Sequence, residues 1–474
     1  MRVAAIDQGT TSTRVLVADT DGRLEIASSV THQQFHPHPG WVEHDPEELL
    51  TNIRRCLDAA GEVDAIGIDN QGESCLAWDA ETGAALSPVI VWQDNRTADA
   101  VGRLKDKGAA SLTLSRAGLP LDAYFSASKL AWIVANIPVA KDALAAGRLR
   151  LGTTDAFFLD RLAGTFATDV TTASRTSLMD LETGKWDTDL CDLFGVPISA
   201  LPEIRPTVAN FGRINDVPVT ASVVDQQAAL FGHGCREPGD AKITFGTGAF
   251  ALAVTGKEIA HAPEKGLLPT VAWSINGTMT YAIDGGVYDA GSAVEWARRI
   301  GLIVDIEKDL EWFDAEPAID RDVVFVPALS GLACPHWDRT AASLFLGMSA
   351  ATTQADMQQA LLEGIALSAA DVIAAMHAHV PIGGSIAIDG GLARSRYFAQ
   401  FLADMIGREV IVADFDERTA FGTAKLAALG AGISLPNAKS TAQSFHPRVA
   451  DSSATRRRFH DAVARCKGWR DLGE

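Results

Sequence analysis

The sequence predicts an α/β protein with two similar domains, and three observations favour this fold class. Apolar strand-like runs alternate with amphipathic helical patterns in both halves, which is typical of sheets covered by helices on both faces. Two segments, "AAIDQGTTSTRVLVA" and "AKITFGTGAFALAVTG", share one layout: an apolar run, a Gly-Thr turn and a second apolar run. They lie half a chain length apart, which indicates an internal repeat. Apolar residues make up 47% of the 474 residues, enough for large cores.

The first 70 residues predict strand, turn, strand, helix and strand in that order. Residues 3–6 and 15–18 are apolar and flank the first turn. Asp45 is a predicted N-cap, because Pro46 and two glutamates follow it, and Gly61 ends the helix. "VDAIGID" then predicts a buried strand that leads into "NQGES".

The second half repeats this alternation. A long helix is expected over residues 354–379, then the strand "SIAID", a helix over about 394–406, the strand "EVIVAD" and the helix "TAFGTAKLAALG". The best junction between domains is "CREPGD". We therefore expect an N-terminal domain over residues 1–234 and a C-terminal domain over residues 235–474.

Charge and composition exclude several function classes. The net charge is −19, and the longest basic run is residues 456–458, so we expect no binding to nucleic acid or to an anionic membrane. No segment reaches the roughly 18 apolar residues of a membrane span. The six cysteines form no CxxC pair, which argues against a zinc site or a disulfide framework. A cytoplasmic protein is expected.

The first turn is rich in groups that can bind phosphate. "DQGTTSTR", residues 7–14, offers backbone N–H groups and hydroxyls at one point, and the second turn repeats the Gly-Thr pair. Asp7, at the end of the first strand, is a candidate magnesium ligand that would hold the ion through water. A plain hydrophilic hairpin loop is the alternative interpretation. The sequence contains neither a P-loop nor a Rossmann fingerprint, so paired hairpins are the remaining phosphate-binding candidates.

Several longer motifs give the whole chain a family resemblance. They are "DQGTTSTR", "HPGWVEHDPEEL", "VWQDNRT", "YFSASKLAWIVAN", "TTASRTSLMDLETGKWD", "DQQAALFG", "FGTGAFAL" and "DGGLARS". In this order they resemble the FGGY family of carbohydrate kinases. The resemblance implies two actin-like ATPase (ribonuclease H-like) domains around a central cleft. It also implies ATP and Mg²⁺ as cofactors, a small polyol or sugar as substrate, and a homodimer or homotetramer.

The resemblance also implies roles for individual residues. Asp225 matches the catalytic base, although an aspartate at a helix start is more often a simple N-cap. The matches to the polyol-binding site are Glu73, Trp92, Tyr124, Asp225, Gln226 and Phe250. The matches to the nucleotide-binding site are Thr10, Thr11, Ser12, Arg14, Thr247, Gly291, Glu295, Gly391 and Ser395. Of these, Glu295 and Ser395 stand where the family usually has Gln and Asn, which puts their contacts with adenine in doubt.

One departure bears on the substrate. Gly72 stands where the glycerol-phosphorylating members of the family have an arginine that grips the substrate, and losing a guanidinium removes donors and opens space. Glycerol remains the leading acceptor, with Arg96 or an ordered water replacing the missing donor. A kinase for a larger polyol or ketose (erythritol, threitol or xylulose) is the alternative. An actin-fold nucleotide-binding regulator without a small substrate is the alternative from another class.

Overall fold

The computed structural model describes residues 1–413, 415, 417–437 and 442–470, and the chain divides into two units. Unit 1 contains residues 1–234, 270–281 and 417–439, and unit 2 contains residues 235–269, 282–416 and 440–474. The chain first passes from one unit to the other between Gly234 and Cys235. The two later segments of unit 1 lie outside the expected N-terminal domain, and their local sequence pattern does not distinguish them from their neighbours.

The elements of the first 234 residues alternate between short strands and helices. The strands are β1 (Arg2–Gln8), β2 (Ser12–Asp19), β3 (Leu24–Thr31), β4 (Glu43–His44), β5 (Ala65–Asn70), β6 (Cys75–Asp79), β7 (Val89–Ile90), β8 (Leu149–Thr153), β9 (Ala167–Asp169), β10 (Met179–Asp180), β11 (Lys185–Trp186), β12 (Glu203–Arg205), β13 (Arg213–Ile214) and β14 (Val217–Val224). The helices are α1 (Pro46–Ala60), α2 (Ala98–Asp106), α3 (Ala110–Arg116), α4 (Ser126–Asn136), α5 (Pro138–Ala145), α6 (Thr154–Ala163), α7 (Val170–Ala173), α8 (Thr188–Phe194) and α9 (Asp225–Gly232).

The rest of the chain continues the alternation. Its strands are β15 (Ala241–Phe245), β16 (Ala249–Gly256), β17 (Leu268–Ile275), β18 (Thr278–Val287), β19 (Val324–Val326), β20 (Leu344–Leu346), β21 (Ile386–Gly390), β22 (Val410–Val412) and β23 (Gln443–Phe445). Its helices are α10 (Gly291–Arg299), α11 (Ile306–Asp309), α12 (Gln354–His377), α13 (Arg396–Ile406), α14 (Arg418–Gly430) and α15 (Ser453–Cys466).

The main sheet of unit 1 brings three strand ends to one edge. Its order is β13-β14-β5-β1-β2-β3, and β5 runs parallel to both β1 and β14. Asp7 is therefore the register partner of Asp69, and Asn70 that of Val224. Helix α14 packs on this sheet at Gly67, where an added Cβ would lie 2.8 Å from Thr423 O. The parallel register places the carboxyl ends of β1, β5 and β14 side by side.

The main sheet of unit 2 repeats the hairpin arrangement. Its strands that lie wholly within unit 2 follow the order β16-β15-β21-β22-β23, with β15 antiparallel to β16 and parallel to β21. In unit 1 the strand β1 has the same two kinds of partner, β2 and β5. Each hairpin thus combines a three-residue turn, residues 9–11 or 246–248, with a parallel neighbour.

Helix α12 forms the centre of the unit 2 core. It begins at the predicted residue and ends two residues before the predicted end. By length and composition alone it is apolar enough to cross a membrane, but 83% of its most apolar window is buried inside the protein. Its own buried residues lie on all faces of the helix, which is typical of the core helix of a globular unit.

Candidate functional site

The first hairpin turn is shorter than the hydroxyl-rich segment suggests. Strands β1 and β2 remain paired as far as Gln8 and Thr13, and Gly9 N donates to Ser12 O at 3.0 Å. Thr10 is half-buried and Thr11 is exposed, whereas Thr13 is buried. Side chains alternate along a strand, so some polar residues of the run 7–14 are buried and fix the hairpin. The remaining hydroxyl and backbone donors form a small group at the tip of the hairpin.

Two carboxyl groups meet at the edge of the unit 1 sheet. Asp7 and Asp69 are register partners, and their side chains lie within hydrogen-bonding reach of each other. Burial raises the pKa of Asp7, and Arg14, whose Nε lies 3.5 Å from Asp7 Oδ2, opposes the rise. Burial and the neighbouring Asp7 raise the pKa of Asp69 well above its usual value. The pair is a site of concentrated negative potential.

Asp69 is a residue that the sequence reasoning missed. Thr423 Oγ1 donates to Asp69 Oδ2 at 2.7 Å, and among the described residues no donor reaches Oδ1. The signal that could have found it is its place at the end of a strand adjacent to β1. A divalent cation beside Asp7 would favour the ionised forms of the two carboxyl groups, so the residues present fit Mg²⁺. Within the described ranges, no three His, Cys, Asp or Glu side chains form a complete ligand set.

Glu73 is held in a strained, buried position. Its φ is 61°, which is uncommon outside glycine and asparagine, and only 4% of its surface is exposed. Arg175 Nε donates to Glu73 Oε1 at 2.7 Å, and Ser126 Oγ donates to Glu73 O at 2.9 Å. The motif "TTASRTSLMDLETGKWD" contains Arg175, but nothing in its spacing predicts this partner.

Trp92 and Tyr124 form an aromatic wall in unit 1. Their ring centroids lie 5.5 Å apart at an interplanar angle of 63°. Trp92 Nε1 donates to Thr10 Oγ1 at 3.1 Å, so this wall is hydrogen-bonded to the first hairpin turn. Buried Lys129 donates to Tyr124 O at 2.5 Å, and burial lowers the pKa of this lysine to about 8. The lysine of the motif "YFSASKLAWIVAN" is therefore structural.

Asp225 lies at the junction of β14 and α9. It is the first residue of the helix, it is partly exposed, and its Oδ1 accepts from Gln226 N at 2.7 Å. Its charge contributes to the raised pKa of Asp69, so both belong to one electrostatic cluster with Asp7. A partly exposed carboxylate at a helix N-terminus is favoured in its charged form and can accept a proton.

Arg96, which with an ordered water is the expected replacement for the missing donor, has structural partners in unit 1. Its side chain is 1% exposed and pairs with Asp94 and Glu43, each at 2.7 Å. The guanidinium also lies between two tryptophan rings, 3.8 Å from the centroid of Trp41 and 4.7 Å from that of Trp132. Its Nε and Nη2 groups donate to carboxylates of this structural cluster.

Four of the nine residues predicted for nucleotide binding line one cavity in unit 2. The cavity has a volume of about 520 Å³, and its lining includes Thr247, Gly291, Glu295 and Gly391. Gly291 N donates to Gly246 O at 3.0 Å, so the start of α10 is fixed against the second hairpin turn. Helix N-termini and exposed backbone N–H groups attract phosphate.

The two residues that depart from the family pattern have partners inside unit 2. Glu295 Oε2 accepts from Arg298 Nε at 2.9 Å on an exposed helix face. Ser395 Oγ donates to Leu310 O at 2.5 Å and accepts from Phe398 N at 3.1 Å, so it is the N-cap of α13. Phe250, the last predicted polyol contact, is partly buried on β16.

Comparisons with known proteins match nearly the whole chain. The N-terminal domain model of the FGGY family of carbohydrate kinases matches residues 2–232, and its C-terminal domain model matches residues 241–431. A glycerol kinase of Bdellovibrio bacteriovorus is 40% identical over 91% of both chains. A glycerol kinase of Methylobacterium nodulans is 40% identical over 99% of this chain and 96% of its own.

Solved structures show the same fold. The crystal structure of Plasmodium falciparum glycerol kinase with ADP has a TM-score of 0.90 and 31% identity, with 98% of each chain covered. Xylulose kinase from Lactobacillus acidophilus has a TM-score of 0.87 at 21% identity, which is a likeness of fold alone. The predicted fold of two ribonuclease H-like, actin-like domains is confirmed.

Proposed function

This chain belongs to the FGGY family of carbohydrate kinases, and from that membership we propose that it uses ATP to phosphorylate a terminal hydroxyl of glycerol, giving glycerol 3-phosphate. One observation carries the choice of acceptor: unit 1 contains both carboxylates and an aromatic wall. The carboxylates are Glu73 and Asp225, and the wall is formed by Trp92 and Tyr124. Carboxylates recognise hydroxyl groups, and aromatic rings cover a short carbon chain. The curated glycerol kinases supply the second line of support.

Asp225 is the proposed catalytic base. It orients the attacking hydroxyl and accepts its proton as the oxygen–phosphorus bond forms and ADP leaves. Because phosphoryl transfer has a loose transition state, the proton moves late, and a weak base suffices. The position at the end of β14 and the start of α9 keeps this carboxylate available.

The remaining roles in acceptor binding are also proposals. Glu73 accepts a hydroxyl hydrogen bond while Arg175 fixes its carboxylate, and Gln226 offers an amide beside the base. Trp92, Tyr124 and Phe250 provide apolar surface for the carbon chain.

Both hairpin turns are proposed to bind nucleotide phosphate. Thr10, Thr11, Ser12 and Thr247 supply hydroxyl and backbone donors, and Arg14 supplies charge. Gly291, Glu295, Gly391 and Ser395 are the proposed contacts to the ribose and base. Mg²⁺, held by Asp7 through water, would neutralise phosphate charge during transfer.

A larger polyol or ketose is the second candidate acceptor. Gly72 favours it, because residue 72 has no side chain with which to grip a glycerol-sized ligand. Assembly as a homodimer or homotetramer and a cytoplasmic location remain expectations that follow from the resemblance and the composition.

The test is acceptor-stimulated release of ADP from ATP and Mg²⁺, with glycerol, erythritol, threitol and xylulose compared. Glycerol should stimulate release at least tenfold over the acceptor-free rate. Asp225→Asn should lower kcat by about 10²- to 10⁴-fold, the usual contribution of a general base, with little change in ATP affinity. If no acceptor stimulates release, the protein is a nucleotide-binding regulator and the proposal fails.

A further inference from the structure

Gly72 is packed against the residue that precedes the proposed base. A Cβ added at residue 72 would lie 2.9 Å from Val224 Cγ2, closer than side-chain carbons approach in folded proteins. Gly72 is not among the glycines with positive φ, so its backbone would accept other residues. The side chain of Val224, rather than backbone geometry, therefore keeps this position a glycine.

Val224 has little freedom to move aside. It is 2% exposed, its backbone N–H donates to Thr171 Oγ1 at 2.9 Å, and it is the register partner of Asn70 in the sheet. A β-branched side chain also has few favourable χ1 rotamers. Any residue larger than glycine at position 72 must therefore displace a fixed methyl group.

The same turn presents Glu73 to the acceptor. Ser74 N donates to Gly72 O at 2.7 Å, which tightens the turn, and Glu73 is turned towards Arg175. The turn thus presents the carboxylate of Glu73, and it excludes a long cationic side chain at residue 72.

We propose that Val224 is a specificity-determining residue for the acceptor, and that it acts by holding position 72 as glycine. The assignment rests on the proposed polyol phosphorylation and deepens it. With this contact in place, no charged donor reaches the acceptor from residue 72, and the site takes linear polyols longer than glycerol as well as glycerol. Removing the Val224 methyl groups makes room for an arginine, which then favours the smaller acceptor.

The contact itself can be tested by thermal unfolding. Gly72→Ala and Val224→Ala should each lower Tm, the first by overpacking and the second by a cavity. The double variant should lose less than the sum of the two losses, because each change relieves the other. Val223→Ala is the matched control, since Val223 is equally buried and its side chain points to the opposite face of the same strand. The proposal would be overturned if the Tm loss of the Gly72→Ala, Val224→Ala double variant equalled the sum of the two single losses.

The effect on specificity can be tested by the ratio of kcat/KM for glycerol to kcat/KM for erythritol. Gly72→Arg combined with Val224→Ala should raise this ratio by about tenfold or more, the effect of one charge-assisted hydrogen bond. Gly72→Arg alone, or with Val223→Ala, should not raise it. The assignment would be overturned if the ratio rose equally in Gly72→Arg and in both double variants. It would also be overturned if the ratio stayed unchanged in a folded protein that carries Gly72→Arg and Val224→Ala. A wild-type protein that phosphorylates neither polyol would instead overturn the proposed function.

Discussion

At the scale of single residues, the proposed acceptor site contains a buried ion pair. The side chains of Arg175 and Glu73 are 8% and 6% exposed, and their polar atoms lie 2.7 Å apart. Removing one partner of such a pair leaves an uncompensated charge, which typically costs about 3–5 kcal/mol. The pair also fixes Glu73 in a backbone conformation that few residues adopt.

We therefore expect Arg175→Met to raise KM for the polyol by tenfold or more while changing KM for ATP less than threefold. Arg175 is a positioning residue, so a purely structural role would change both constants or only Tm. Arg116→Met is the control, because Arg116 is 48% exposed and forms only long ion pairs with its neighbours. Steady-state kinetics with each substrate varied would decide the matter. Parallel loss of both affinities would contradict the positioning role.

Residue partners were the least predictable level of the structure. The register that pairs Asp7 with Asp69 requires knowing that β1 and β5 are parallel neighbours. Arg96 belongs to the polar end of the motif "VWQDNRT", and its neighbours in the sequence do not predict its partners. The folded chain shows that two carboxylates and two tryptophan rings contact it. Local sequence gives the type of side chain, whereas long-range packing gives its partner.

At the scale of elements, the two hairpin turns repeat in the chain but differ in their surroundings. Thr10 is half-buried, and its hydroxyl accepts from Trp92 Nε1. Thr247 is exposed, and its backbone oxygen accepts from Ala290 N at 3.1 Å and Ser292 N at 2.9 Å. The hydroxyl of Thr10 is thus hydrogen-bonded to the aromatic wall of unit 1.

Removing each hydroxyl should therefore have different effects. Thr10→Val should raise KM for ATP and for the polyol, because the indole N–H of Trp92 loses its acceptor. Thr247→Val should raise KM for ATP alone. Thr20→Val, in the exposed turn after β2, is the control and should change neither constant. If Thr10→Val leaves the polyol KM unchanged, the hydrogen bond to Trp92 does not matter for acceptor binding.

Elements with strong local signals were predicted well. The helix after Asp45 begins and ends as expected, with Asp45 Oδ1 accepting from Glu47 N and Gly61 as the C-cap. The predicted helix near residue 394 begins instead at Arg396, because residues 391–394 form a 3₁₀ turn and Ser395 caps the helix. In the first hairpin the strands extend into the polar run, since backbone pairing continues regardless of side-chain polarity.

At the scale of the whole molecule, buried carboxyl groups in both units contribute to the pH dependence of stability. Burial raises the pKa of Asp169 in unit 1 to about 6 and that of Glu363 in unit 2 to about 7. Glu363 accepts hydrogen bonds from Ala318 N at 2.8 Å and Tyr397 OH at 2.6 Å, but burial outweighs them. An acid with a raised pKa in the folded state contributes stability that is present below its unfolded pKa and is lost as the pH rises through its folded pKa.

The free energy of unfolding should consequently fall between pH 5 and pH 7, by up to about 1.4 kcal/mol per pH unit for each such group. Glu363→Gln should reduce this slope, because the amide does not titrate. Asp356→Asn is the control: its pKa is lowered to about 2, chiefly by the hydrogen bond from Arg321, so its contribution is constant above pH 5. Urea denaturation at pH 5, 6 and 7 measures the slopes. If the slope is as steep in Glu363→Gln as in the wild type, Glu363 is ionised in the folded protein at pH 5, and the burial of its carboxyl is fully offset by its hydrogen bonds.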